Sequence, residues 1–216
     1  MRNLFLFLIL TSTSAFAKEE FFLGYHLSRP PAAGSAADQQ DSAILHQYQE
    51  TRTKAQCDAA AKQSTFTLED TFGPETGILT AAELEQVDSI AKKVILETDI
   101  VSTYYKFKYR RHRPYNEDNT LHTCIPIPSD NVAYPSAHAA RGLALAEIFS
   151  QIFPEKKEQI MKQGYQIGTN RVLGGVHHPS DIAAGQEIAE EVVAHLRSKY
   201  SYNPTDDDQE LDQDQE

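Results

Sequence analysis

The run 80-TAAELEQVDSIAKKVILETDIVSTYYKF-107 sets Leu84, Val87, Ile90, Ala91, Val94 and Ile95 at three- and four-residue spacing. So long a stripe is one face of an α-helix that must be buried against other helices. Thr80 with Glu83 supplies a capping box at its start. Similar spacing predicts a helix capped by Asp41 and running to about Thr53, with Ile44, Leu45 and Tyr48 on one face. Further helices are predicted over 54–63, from Ser136 to Phe153, from Pro154 to about Val172, and from Pro179 to Tyr200. Gly73, Pro74 and Gly77 mark 67–78 as a loop, and Pro114, Pro126, Pro128 and Pro135 mark 114–135 as irregular. Hardly any segment alternates as a strand does, so the expected fold is all-α, a single domain without internal repeats.

The chain begins MRNLFLFLILTSTSAFA, with Arg2, an apolar run from Leu4 to Leu10, and small residues at Ala15 and Ala17. That pattern predicts a secretory signal peptide over 1–17. Its apolar run is far shorter than the roughly 20 residues a membrane-spanning helix needs. The expected layout continues with a flexible segment over 18–37, the folded domain over 38–202, and an acidic, disordered tail over 203–216. The expected location is periplasmic or secreted. Removing the signal would take one cation, Arg2, from a chain whose formal charge is already −11. Such a balance argues against nucleic acid or an anionic membrane as a partner. Cys57 and Cys124 would meet an oxidising compartment. They either form a disulfide, worth ~4 kcal/mol for so long a loop, or stay as two thiols.

Three clusters carry the chemistry: 106-KFKYRRHRP-114, 134-YPSAH-138 and 170-NRVLGGVHHPSD-181. Lys106, Arg113 and Arg171 are cations in an acidic chain, whereas Lys108, Arg110 and Arg111 read as a solvated basic face. Arg171 continues a helical stripe through Ile160, Gly164 and Gly168, whose small residues suggest close helix contact. A guanidinium aimed into packed protein must meet an anion, either an internal carboxylate such as Glu147 or a bound phosphate. Ser136 opens a helix, so its hydroxyl and the N–H groups of Ser136 and Ala137 either receive an anion or simply cap the helix. His138 lies on the same first turn. Asp181, in the first turn of the last helix, can reach back to His177 and fix one ring nitrogen, leaving the other as a directed lone pair. His178 is expected to point elsewhere and to lack that partner.

The three clusters together spell Lys-x6-Arg-Pro, Pro-Ser-x-His and Arg-x5-His-x3-Asp. This resembles the type 2 phosphatidic acid phosphatase (PAP2) superfamily, and among its members the class A non-specific acid phosphatases. The resemblance implies a helical bundle of the PAP2/haloperoxidase type and metal-independent hydrolysis of small phosphate monoesters, with no cofactor. It assigns His177 as nucleophile, Asp181 as its orienting acid and His138 as the proton donor to the leaving alcohol. Phosphate binding falls to Lys106, Arg113, Ser136, Ala137 and Arg171. Broad specificity, phosphate transfer to other alcohols and a homo-oligomer are implied as well. The sequence departs from the family at Ala137, where glycine is usual, at Asn170 in place of serine, and at His178 in place of an aromatic residue. Two other functions share the anion-binding pattern: a vanadate-dependent haloperoxidase, although those relatives are much longer, and a phosphate-binding protein without catalysis.

Overall fold

Residues 24–200 are described by a computed structural model, and they form α-helices with no strand among them. The signal signature over 1–17 and the acidic tail over 203–216 lie outside the described residues. The helices are α1 (Ala36–Thr51), α2 (Lys54–Lys62), α3 (Leu68–Phe72), α4 (Ala81–Tyr109), α5 (Pro114–Glu117), α6 (Ala137–Ile152), α7 (Lys157–Leu173) and α8 (Pro179–Tyr200). Short 3-10 turns at Pro74–Thr76 and Pro154–Lys156 precede α4 and α7.

Helix α4 starts where the sequence predicts. The Thr80 hydroxyl accepts from the Glu83 N–H at 3.3 Å, and the Glu83 carboxylate accepts from the Thr80 N–H at 2.7 Å. Its buried face carries Leu84, Val87, Ile90, Ala91 and Val94, then Val101 and Tyr105, while Ile95 is only partly covered. These side chains pack around α6, which is apolar on nearly every side and meets α4, α7 and α8.

Small residues allow these close approaches. A Cβ placed on Gly164 of α7 would lie 2.5 Å from the Ala146 Cβ and 2.8 Å from the Gly142 carbonyl oxygen of α6. One on Gly185 of α8 would lie 2.4 Å from the Ser136 carbonyl oxygen. The stripe of Gly164 and Gly168 thus marks a helix contact, as expected, and Gly142 and Gly185 complete it.

Several boundaries differ from expectation. Ser35, not Asp41, caps α1, because Asp41 is drawn into a buried ion cluster described below. The described part of 18–37 is docked rather than loose. Tyr25 is buried and its hydroxyl donates to Glu97 at 2.7 Å, while the Ser28 N–H donates to Glu187 at 3.1 Å. Residues 67–78 fold into α3 and a 3-10 turn because Phe72 has a partner in the core, the Phe149 ring at 5.4 Å. Helix α7 begins at Lys157, after its 3-10 turn. Cys57 and Cys124 form the disulfide, tying α2 to the irregular segment across a separation of 67 residues.

Gly164→Ala and Gly185→Ala push a methyl against packed backbone, and each should destabilise by about 1–3 kcal/mol. Urea unfolding monitored by circular dichroism measures this; an unchanged midpoint for both would show that the helices can separate freely.

Candidate active site

Helix α4 ends at Arg110, which takes the left-handed conformation (φ 50°). The turn sends 111–113 back as extended chain, where His112 pairs with Val132 in an isolated antiparallel bridge. His112 is exposed, whereas Arg111 and Arg113 are buried. Lys106, in the last turn of α4, is brought to the same place: its Nζ donates to the Val132 carbonyl and lies 3.6 Å from Asp130 Oδ2. Burial pushes the Lys106 ammonium down to about 8, against the opposing pull of Asp130.

At the other end of the site, Gly175 turns the chain with φ 79°, and a Cβ there would lie 3.0 Å from the His122 carbonyl oxygen. Pro179 then opens α8 and places Asp181, with no exposed surface, in its first turn. His177 Nδ1 lies 3.2 Å from Asp181 Oδ2, and its Nε2 lies 3.1 Å from Arg113 Nη1. A guanidinium can only donate, so Nε2 carries the lone pair and Nδ1 carries the proton given to Asp181. Burial holds the His177 imidazole down at about 4, outweighing Asp181, which pulls the other way. For Asp181, burial pushes upward, yet hydrogen bonds from His177 and His178 hold its carboxyl well below the usual range.

His178 does not point away as expected. Its N–H donates to Asp181 Oδ2 at 2.8 Å, its Nδ1 lies 3.2 Å from the same oxygen, and its Nε2 lies 3.4 Å from Glu117. The two histidines share one carboxylate oxygen because a first-turn acid faces both residues before it. What separates them is the second ring nitrogen, which meets Arg113 in His177 and Glu117 in His178.

Arg111 also departs from expectation, since it is no part of a solvated face. Its Nη1 donates to Asp181 Oδ1 at 3.0 Å, and its Nη2 reaches Asp41 at 3.0 Å and Asp38 at 3.1 Å. Asp41 in turn accepts from the Ser180 N–H at 3.0 Å. Lys108 and Arg110 are exposed, as expected.

Ser136 is wholly buried as the cap of α6, its hydroxyl accepting from the Ala139 N–H at 3.3 Å. Its own N–H is not free, because it donates to the Asp181 carbonyl oxygen at 2.9 Å. Ala137 and His138 do face the cavity. His138 Nε2 lies 3.1 Å from the Gln63 carbonyl oxygen and must donate to it, which leaves Nδ1 as the nitrogen that can exchange a proton. Burial, then the charges of Arg171 and Arg141, push the His138 imidazole well below its ordinary value. Arg171 is 2 % exposed; among the described residues it gives one hydrogen bond, from Nη2 to the Ala60 carbonyl, and its buried Nε has no partner. Glu147 is not its counterion: that carboxylate lies 3.7 Å from Arg197. Burial alone pushes the Arg171 guanidinium down to about 10.

Lys106, Arg113, Ala137, His138, Arg171 and His177 line one cavity of about 360 Å³. Asp181 and Ser136 stand behind it. Sequence reasoning missed Arg141, Ser64 and Thr65 on its wall, and also Asp130, whose carboxylate contacts both Lys106 and Arg113. No sequence signal set Asp130 apart from Glu117 and Asp118 in the same Pro-rich segment. Among the described residues, no three His, Cys, Asp or Glu side chains are grouped as a metal site requires. No helix of the described residues is long and apolar enough to cross a membrane.

Residues 92–203 match the PAP2 superfamily. A non-specific acid phosphatase of Providencia stuartii is 30 % identical over 181 residues, covering 80 % of this chain and 73 % of the relative. One from Salmonella typhimurium LT2 is 28 % identical over 181 residues, covering 84 % and 66 %. In fold, the chain is similar to a transmembrane PAP2-type phosphatidylglycerolphosphate phosphatase from Bacillus subtilis, with a TM-score of 0.55 at 16 % identity, over 86 % of this chain and 93 % of the other. The matched region holds every residue of the three motifs, and on that footing the chain belongs to the PAP2 superfamily.

Proposed function

We propose that this chain, a phosphatase of the PAP2 superfamily, hydrolyses phosphate monoesters in acid through a phosphohistidine on His177. The observation that carries this reading is the His177 ring: Nδ1 is held by Asp181, and Nε2 presents its lone pair to a cavity walled by Lys106, Arg113 and Arg171. The phosphoryl group would take the cations now partly satisfied by Asp130, and Arg113 Nη1 would turn from Nε2 to a phosphoryl oxygen. Arg171 Nε would gain the acceptor that it lacks. The Ala137 N–H adds a donor at the helix start, while Ser136 holds that start in place.

Nε2 then attacks phosphorus in line. The ester P–O bond breaks, its electron pair leaves on the alcohol oxygen, and a proton from His138 Nδ1 neutralises that oxygen. Water attacks next, giving its proton to His138; the P–N bond breaks and Nε2 regains its lone pair. An alcohol in place of water gives phosphate transfer. The charge spread over the phosphoryl oxygens is met by donors fixed in place before the reaction.

The relatives' names support the phosphatase over the haloperoxidase or the inert binding protein. The sequence over 1–17 supports an exported protein, periplasmic or secreted. Its acidic balance supports small phosphorylated substrates over nucleic acid. Leu96 and Phe107, 62 % and 71 % exposed on α4, support a homo-oligomer.

Hydrolysis of an aryl phosphate in excess chelator should persist in the wild type and fall at least ~10⁴-fold in His177→Ala. His178→Phe should cost about 10- to 100-fold, the worth of one charge-assisted hydrogen bond. The reverse order would move the nucleophile to His178, and loss of wild-type activity in chelator would show a metal requirement.

Arg111→Met should lower kcat while leaving KM nearly unchanged, since Arg111 orients Asp181 without reaching the cavity. It should also destabilise by about 3–5 kcal/mol, because it strands buried carboxylates. A raised KM with an intact kcat would contradict this.

The pH profile follows from the two histidines. His177 stays neutral above about 4 and loses its lone pair as pH falls through that value. Burial and the charges of Arg171 and Arg141 disfavour the His138 imidazolium in the empty site, so the transferred proton arrives with the ester monoanion, whose second pKa is about 6. The profile of kcat/KM should therefore be a bell with limbs near about 4 and about 6. A maximum above neutrality would contradict these assignments.

A further inference from the structure

The cavity holds one more cation than the phosphoryl group needs. Lys106 and Arg113 share Asp130, and Arg171 awaits an acceptor. Arg141 is on the same wall, one helical turn past His138 and so on its face of α6. Its guanidinium is held in place: Nε donates to Asp99 at 2.6 Å, and the guanidinium carbon stands 5.4 Å from the Phe66 ring centre. The Phe66 ring packs in turn on His138, 5.8 Å away. Neither terminal nitrogen has a hydrogen-bond partner among the described residues, and neither is sealed from solvent. Asp99 therefore fixes this arginine through one nitrogen and leaves the planar pair of donors that suits a carboxylate or phosphate.

His138 serves the leaving oxygen, so the side chain one turn beyond it borders the leaving group and not the phosphoryl group being transferred. We propose that Arg141 forms a second anion subsite, selecting phosphate monoesters whose alcohol portion carries a carboxylate or another phosphate. This rests on the phosphatase reading and names its substrate class. Asp99 engages Arg141 through Nε alone, so the two terminal nitrogens are left for a second anion carried by the leaving group.

The test compares 4-carboxyphenyl phosphate with phenyl phosphate in the wild type, in Arg141→Gln and in Arg141→Lys. The ratio of kcat/KM values, charged over uncharged, should fall about 10- to 100-fold in Arg141→Gln, with part of it kept by Arg141→Lys. Calorimetric binding of phosphonoacetate against methylphosphonate gives the same comparison without turnover. The preference for phosphonoacetate should shrink in Arg141→Gln. An equal loss on both esters and both phosphonates would reduce Arg141 to a structural partner of Asp99 and overturn the subsite. Absent turnover with the phosphonate preference intact would instead remove the phosphatase reading and leave the subsite standing.

Discussion

Asp181 is an ionised carboxylate with no exposed surface, and the chain is organised around satisfying it. Oδ2 accepts from the His178 N–H and holds both imidazole rings; Oδ1 accepts from Arg111; the backbone carbonyl accepts from the Ser136 N–H. A buried carboxylate costs several kcal/mol unless charged donors surround it. Here the carboxylate is met by the Arg111 guanidinium and by the His177–His178 pair, and the Ser136 N–H fixes the backbone of the same residue. The end of α4, the start of α6 and the start of α8 converge because each supplies a group to one residue. Arg111 carries the link outward to Asp38 and Asp41 on α1, which lies before the region matched to the superfamily.

The same burial shapes the chemistry. Removing water lowers the proton affinity of His177, Lys106 and Arg171, and for each of them burial is the leading cause. His177 stays neutral in acid, as a nucleophile must. Among the described residues, Asp130 is the carboxylate paired with Lys106 and Arg113, Asp99 is paired with Arg141, and Arg171 has no carboxylate partner. A chain of formal charge −11 thereby keeps a positive pocket for anions. The glycines at the helix crossings belong to this design, because Gly185 lets α8 approach the Ser136 turn and sets Asp181 against it.

The helices were legible because a 3.6-residue period and its caps are local, and Thr80 with Glu83 shows this best. The six cavity-lining residues of the motifs were legible through the family resemblance that their spacing carries, whereas their types alone left capping and packing roles open. What escaped depended on distant partners. A run of cations does not say which one turns inward; Arg110 adopting a left-handed turn is what buries Arg111. Asp41 looked like a cap because its real partners, Arg111 and Ser180, are far away in sequence. The Ser136 N–H looked free for the same reason, its acceptor being the Asp181 carbonyl. The chain neighbours of His178 hide that two adjacent residues can share a first-turn carboxylate. Asp130 and Arg141 carried no motif, and only the folded cavity gathers them.

The proposed route carries phosphate through Nε2 of His177. It is tested most directly by mixing the enzyme with a labelled ester, quenching in base within one turnover, and mapping the labelled peptide. The expected result is an acid-labile, base-stable label on the peptide holding His177. Label on another residue, or fast turnover with no covalent label at any quench time, would contradict it.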